Sequence, residues 1–222
     1  MDDHYHVDLA KYTIRVFKNM LQTRVLLPSR ASLKDDMDER FRRLEITGIT
    51  TMKDLIDALN TKPKIERVPQ ETGVPVAYLT LLNREAKNYR PNPIRIDKFP
   101  GIPANYVERL SDVGITHSRH MFQKAKDTQQ RAHVSRTTDI PLTILDELIG
   151  LSDLSRLYGV GPVFARILYD RGMTSVAVLR TYTAEDVIRL YEDTTQKKAD
   201  FGVSEMQFSL ELAHELEIAI DV

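Results

Sequence analysis

One eight-residue pattern occurs three times in this chain and constrains its fold more than any other feature. The copies are Leu44-Glu-Ile-Thr-Gly48-Ile49-Thr50-Thr51, Leu110-Ser-Asp-Val-Gly114-Ile115-Thr116-His117 and Leu168-Tyr-Asp-Arg-Gly172-Met173-Thr174-Ser175. Each reads Leu-x-x-x-Gly-apolar-Thr-x. A glycine there stops a helix without strain, because the left-handed conformation of a helix terminus carries no Cβ penalty. The apolar residue plugs the joint, and a Thr or Ser just beyond it suits the cap of the next helix. Thr51-Met-Lys-Asp54 has the form of a capping box, with Asp in place of Glu. A second anchor follows each glycine: Gly73-Val74-Pro75, Asp139-Ile140-Pro141 and Gly202-Val203-Ser204, lying 25, 25 and 30 residues further on. Pro75 and Pro141 suit the first turn of a helix, and Ser204 is expected to cap in the third copy. The spacing predicts an all-α chain of three diverged copies of one unit.

The residues between anchors agree with this. Tyr78, Leu79, Leu82 and Ala86 fall at helical spacing, as do Leu142, Leu145, Leu148 and Ile149, and no run alternates as a strand would. From about Val7 to Leu27 an amphipathic helix is expected, with Leu9, Tyr12, Val16, Phe17, Met20 and Leu21 on one face, acting as a lid on the first copy or as a dimerisation arm. Pro91-Asn-Pro93 breaks the pattern. The expected organisation is therefore an N-terminal helix and first copy over 1–90, a linker over 91–97, and the second and third copies over 98–222.

The turn ahead of each copy differs. The third has Tyr158-Gly159-Val160-Gly161-Pro162, the second Pro100-Gly101-Ile102-Pro103-Ala104, and the first Lys34-Asp35-Asp36-Met37. A Gly-apolar-Gly turn opening a helix lets several backbone N–H groups face one anion, with the helix terminus adding partial positive charge. The same glycines serve equally for close packing of two helices. Residues from about Lys98 to Tyr191 resemble an uncharacterised helix-hairpin-helix-like family, a domain of unknown function (DUF4332), through Phe99-Pro-Gly101-Ile-Pro, Leu145-Asp-Glu-Leu-Ile-Gly-Leu-Ser-Asp-Leu154, Arg156, Gly159-Val-Gly161 and Gly172-Met-Thr174. Residues 28–90 look like a poorer copy of that unit. The resemblance implies a phosphate-gripping role for Gly159, Val160 and Gly161, with Gly101 in the second hairpin and Arg156 and Arg166 as charge partners. Against a nucleic-acid role, Val163 stands where DNA-binding hairpins often place Lys or Arg, Pro103 removes one N–H, and Asp35 and Asp36 would repel a phosphate.

Charge is uneven. Residues 84–138 hold 11 Lys and Arg against 5 Asp and Glu, whereas residues 139–222 hold 7 against 15. The basic excess, Lys98, Arg109, Arg119, Lys124, Lys126, Arg131 and Arg136, is a candidate phosphate-backbone patch or a partner for the acidic end. With 42% hydrophobic and 28% charged residues the composition is that of a globular protein, and zero Cys removes disulfides, thiolate zinc sites and thiol nucleophiles. No stretch approaches twenty apolar residues and the start carries no apolar targeting core, so a cytoplasmic protein without membrane contact is expected. His117 and His120 are three apart without a supporting carboxylate, and no nucleotide loop, nucleophile elbow or zinc-protease helix occurs. The expectation is a non-catalytic helical adaptor, scaffold or self-associating module that needs no cofactor and binds a protein partner or its own copy. The alternative is a non-sequence-specific nucleic-acid binder using the hairpins at Gly101 and Gly159 to Gly161 with the basic middle.

Overall fold

A computed structural model describes residues 4–221. The chain divides into two compact units, one of Asp8–Tyr89 and one made of the described residues of 1–7 together with those of 90–222. Both are helical; among the described residues no strand occurs, only two isolated antiparallel bridges.

The first unit holds α1 (Ile14–Thr23), α2 (Met37–Ile46), α3 (Met52–Ala58), α4 (Lys62–Thr72) and α5 (Val76–Lys87). The N-terminal helix is shorter than the 7–27 stretch predicted. Thr13 caps it through its hydroxyl, and Arg24 is already extended. Its buried stripe is Ile14, Phe17 and Leu21, while Val16 is 44% exposed. Phe17 meets the rings of Phe41 on α2 at 6.3 Å and Tyr89 at 6.0 Å, so α1 is packed within this unit. Glu85 on α5 is a buried carboxylate, and two guanidinium groups, those of Arg24 and Arg30, satisfy it.

The second unit holds α6 (Ala104–Asp112), α7 (Ser118–Ala125), α8 (Thr128–Thr138), α9 (Leu142–Leu154), α10 (Pro162–Asp170), α11 (Val176–Leu179), α12 (Ala184–Thr195) and α13 (Val203–Glu215). Residues 94–98 are tied into it: Ile94 N–H donates to Ser118 Oγ at 2.9 Å, and Ile96 N–H donates to the Thr116 carbonyl at 3.1 Å.

The glycine joints share one geometry. Gly48, Gly114 and Gly172 have φ of 87°, 72° and 87°. In each, the glycine N–H donates to the carbonyl three residues back, and the next N–H reaches the Leu carbonyl five residues before it: Ile49 to Leu44 at 3.2 Å, Ile115 to Leu110 at 2.8 Å and Met173 to Leu168 at 3.0 Å. That pair of bonds satisfies carbonyls the helix end would otherwise leave open. All three Leu are fully buried, and the plugs Ile49, Ile115 and Met173 are buried beside them. Three residues past the glycine, Thr51, His117 and Ser175 cap α3, α7 and α11. Thr51 and Asp54 complete the capping box.

The N–H that opens each capped helix reveals how the third joint differs. Met52 N–H donates to the Tyr12 carbonyl and Ser118 N–H to the Ile94 carbonyl, each one residue before an isolated bridge, at Thr13 and Arg95. Val176 N–H donates instead to Asp153 Oδ2 at 2.7 Å. There the acceptor is a carboxylate on α9 and not a main-chain carbonyl. Gly150 permits the approach, since a Cβ there would lie 2.5 Å from the Thr174 carbonyl oxygen.

The second anchor needs correction in the third copy. Gly73 and Asp139 end α4 and α8 in the left-handed conformation, with Pro75 and Pro141 as N-caps one residue ahead of the first turn. Ser204 is not the cap: Gly202 is the N-cap of α13, Ser204 lies within its first turn, and Val203 is exposed. The left-handed stop is Gln196, at φ 55° and 24 residues beyond Gly172, and residues 197–202 separate it from α13.

His117 caps α7 by accepting the His120 N–H on Nδ1 at 3.3 Å, and the two imidazoles stack at 3.6 Å. Burial, then the neighbouring His120 and Arg119 charges, holds His117 below the ordinary histidine range; burial, then Lys124 and Arg119, does so for His120. The unfolded chain therefore binds protons first, and the stability these groups contribute is complete above about pH 6.5 and lost as pH falls through the depressed folded values. Thermal unfolding from pH 8 to 5 should show a falling Tm, with a shallower slope in His117→Asn. An unchanged slope in that variant would remove the imidazole cap from this account.

Candidate functional site

A pocket of about 290 Å³ opens beside the third glycine turn. Its walls are the rings of Tyr158, Phe164 and Phe201 with Met206; Asp200, Glu205, Ser209 and Gly159 complete the lining. Gly159 takes φ 77°, a conformation that turns the chain sharply out of α9 into α10 and leaves Val160 buried as a plug. Ser209 on α13 donates its hydroxyl to the Tyr158 carbonyl at 2.7 Å, which fastens the turn, and the Tyr158 ring lies 5.4 Å from Phe208. Phe164 projects from the first turn of α10. Phe201 comes from the segment between α12 and α13 and stands 5.2 Å from both Phe164 and Tyr191. The Glu192 carboxylate accepts the Ala199 N–H at 3.0 Å and Glu205 accepts the Gly202 N–H at 3.1 Å, so this connecting segment is held at both ends.

The electrostatics are anionic. Asp200 takes part in no ion pair among the described residues, and the only charged side chains lining the pocket are the carboxylates of Asp200 and Glu205. The pocket thus combines aromatic side chains, a soft thioether side chain and carboxylates. It is suited to bind an apolar or cationic group and is unsuited to an anion.

The predicted phosphate-gripping residues are dispersed by the fold. Val160 N–H donates to the Leu157 carbonyl and Gly161 N–H to the Gly159 carbonyl, so two amides of the turn are used within it. The assignment of Arg156 as a phosphate partner is corrected. Its side chain is fully buried: Nε donates to the Tyr5 carbonyl at 2.9 Å, Nη2 to the carbonyls of His4 at 3.1 Å and Glu217 at 3.0 Å, and Nη1 pairs with Asp153. Arg166 is committed to Glu147, to Asp170 and, through Nε, to the Pro100 carbonyl at 2.9 Å. That last contact does bring Arg166 against Gly101, two residues predicted for one role.

The basic patch is likewise divided. Arg131 is corrected from surface cation to buried clasp: it pairs with Asp146 at 2.6 Å and Asp221 at 3.0 Å, and Asp221 also accepts from the Thr128 amide and hydroxyl at the start of α8. Arg109 is turned onto the Thr138 and Asp139 carbonyls, and Lys124 onto the Val113 carbonyl at 2.7 Å. Lys98, on the turn before α6, and Arg136, on α8, are exposed; Arg119 and Lys126 are partly covered. Among the described residues no three His, Asp or Glu are gathered as metal ligands would be. No helix of these residues is long and apolar enough to cross a membrane.

Sequence reasoning singled out Gly159 but not the other walls of this pocket. Phe164, Phe201 and Met206 come from separate elements, and no motif in the sequence marks Asp200 or Phe201.

The fold and site define an all-helical protein with glycine-stopped joints and an acid-edged aromatic pocket. Residues 100–212, just over half the chain, match the family described as Domain of unknown function (DUF4332), and the chain belongs to that family. No curated protein and no solved structure matches it.

Proposed function

We propose that the chain is a non-catalytic binding module whose partner is a protein, engaged at the pocket beside Gly159. The carrying observation is that this pocket, walled by Tyr158, Phe164 and Phe201, sits where a helix-hairpin-helix would grip phosphate, yet bears Asp200 and Glu205 instead of cations. Supporting the absence of catalysis, Ser209 spends its hydroxyl on the Tyr158 and Glu205 carbonyls rather than on a base.

The scaffold in this reading is three diverged copies of a four-helix, helix-hairpin-helix-like unit: α2 to α5, α6 to α9 and α10 to α13. The left-handed stops at Gly73, Asp139 and Gln196 support it, lying 25, 25 and 24 residues after the glycine joints. Helix α1 precedes the first copy. The cytoplasm is the proposed location.

Pull-down from the source cell's extract, with crosslinking, tests the reading. A protein captured by the wild type and lost with Phe201→Ala is the expected result. Fluorescence anisotropy with duplex and single-stranded oligonucleotides at low salt is the counter-test. Binding that falls steeply with salt and is lost in Lys98→Glu with Arg136→Glu would replace this reading with the nucleic-acid one.

A further inference from the structure

We infer that the pocket beside Gly159 receives one organic cation, an alkylated ammonium carried on a lysine-type side chain of a basic segment in the partner protein. The inference rests on the protein-binding reading above and specifies what that partner presents.

Three observations lead there. The first is the ring geometry. Phe164 and Phe201 are splayed by 40°, and Tyr191 stands edge-on to them at 86° and 67°, holding both in place, while Tyr158 closes another side. Ring faces attract a cation lying within about 6 Å of a centroid. The second is charge. Asp200 has no ion-pair partner among the described residues, Glu205 stands on the same rim, and no Lys or Arg lines the pocket. An anion would be repelled, and a neutral apolar group would leave this field unused. The third is size. About 290 Å³ lies at the lower edge of the ~300–1,000 Å³ typical of pockets for drug-sized ligands, so the space suits the head of one side chain and not a nucleotide.

Hydration decides between a bare and an alkylated ammonium. A lysine ammonium is compact and strongly hydrated, with three N–H donors that need acceptors once water is removed. Most of the wall here is ring and thioether. Methyl groups in place of N–H remove that demand, keep the charge and add apolar contact with Met206 and the rings.

The test is a titration of the isotope-labelled full chain, followed by amide chemical shifts, with four probes. These are tetramethylammonium, a short basic peptide with one central trimethyllysine, the same peptide with plain lysine, and the same peptide with a neutral tert-butyl isostere. The expected result is shifts at Gly159, Phe164, Phe201 and Met206, with the trimethyllysine peptide binding about tenfold tighter than the isostere. Asp200→Asn and Phe164→Leu should each weaken it about tenfold, in variants whose unfolding temperatures show that they fold. Asp200 is exposed, so its variant serves even if Phe164→Leu is unstable. Equal binding of the isostere, or full affinity in Asp200→Asn, overturns the assignment. Binding of tetramethylammonium but of no peptide overturns the partner-protein half. If no probe binds while Phe201→Ala still loses the captured protein, the cation assignment falls and the protein-binding reading stands.

Discussion

Replacing Arg156 with alanine should destabilise the second unit by about 3–5 kcal/mol, the scale found when one member of a buried ion pair is removed. The guanidinium is enclosed, lies 4.6 Å over the Phe122 ring, and joins elements from distant parts of the sequence: the His4 and Tyr5 carbonyls, the Glu217 carbonyl and the Asp153 carboxylate. Without it, Asp153 keeps only the Val176 N–H as a charge-stabilising donor among these contacts. Burial already raises the Asp153 carboxyl above its ordinary range, against the pull of Arg156 and that amide. In the variant the carboxyl should rise further, and the folded state would then bind a proton that the unfolded state, with a carboxyl near 3.9, does not. Stability of the variant must therefore fall as pH rises through the window above that value, so the loss should be smaller at pH 5 than at pH 8. Urea denaturation of wild type and Arg156→Ala at both values checks sign and size. A loss under about 1 kcal/mol at pH 8 would show that the clasp is dispensable.

Leu110→Ala and Leu168→Ala should each cost about 2–5 kcal/mol, through lost transfer energy and the cavity left behind. Both side chains are fully buried, and each accepts on its carbonyl the N–H of the plug residue that seals the joint, Ile115 or Met173. The plug packs where the Leu side chain would be missing, so little collapse is available. Denaturation midpoints measure the loss, and hydrogen exchange at the Ile115 and Met173 amides locates it. Effects below about 1 kcal/mol at both positions would mean that the glycine joints are not built around these leucines.

The first joint was legible in sequence because every part of it is local. Leu, Gly, the plug and the cap lie within eight residues, and each is selected by a backbone rule. The second anchor was legible where Gly73 marks it or where Pro141 follows Asp139, and misread where Gln196, a residue without special freedom at positive φ, takes the left-handed turn. Gly202 drew attention there because it is a glycine, but its φ of −102° is open to any residue. The start of α1 was missed because Ile14 and Met52 set it by pairing with Thr50 and Tyr12 across almost forty residues. Arg156 and Arg131 read as surface charge in sequence because, besides the nearby Asp153 and Asp146, the partners that enclose them, His4, Tyr5 and Asp221, lie about 90 to 150 residues away. A basic count along a chain carries no information on which cations the fold encloses.

The pocket illustrates the same point from the other side. The glycine turn at its edge is a local signal, and it was seen. What the turn faces depends on Phe164, on α10, meeting Phe201, in the segment between α12 and α13, which no spacing in the sequence states. A Gly-x-Gly turn is equally able to approach a phosphate or a packed wall of rings, and the deciding residues are those opposite it.

The central claim is that this turn serves a cation-binding pocket and not an anion. The amide resonances of Gly159 and Gly161 test it directly, recorded while the trimethyllysine peptide and, separately, a short DNA duplex are added at low salt. The account predicts saturable shifts with the peptide and none with the duplex; shifts at both glycines with the duplex, and silence with the peptide, would contradict it.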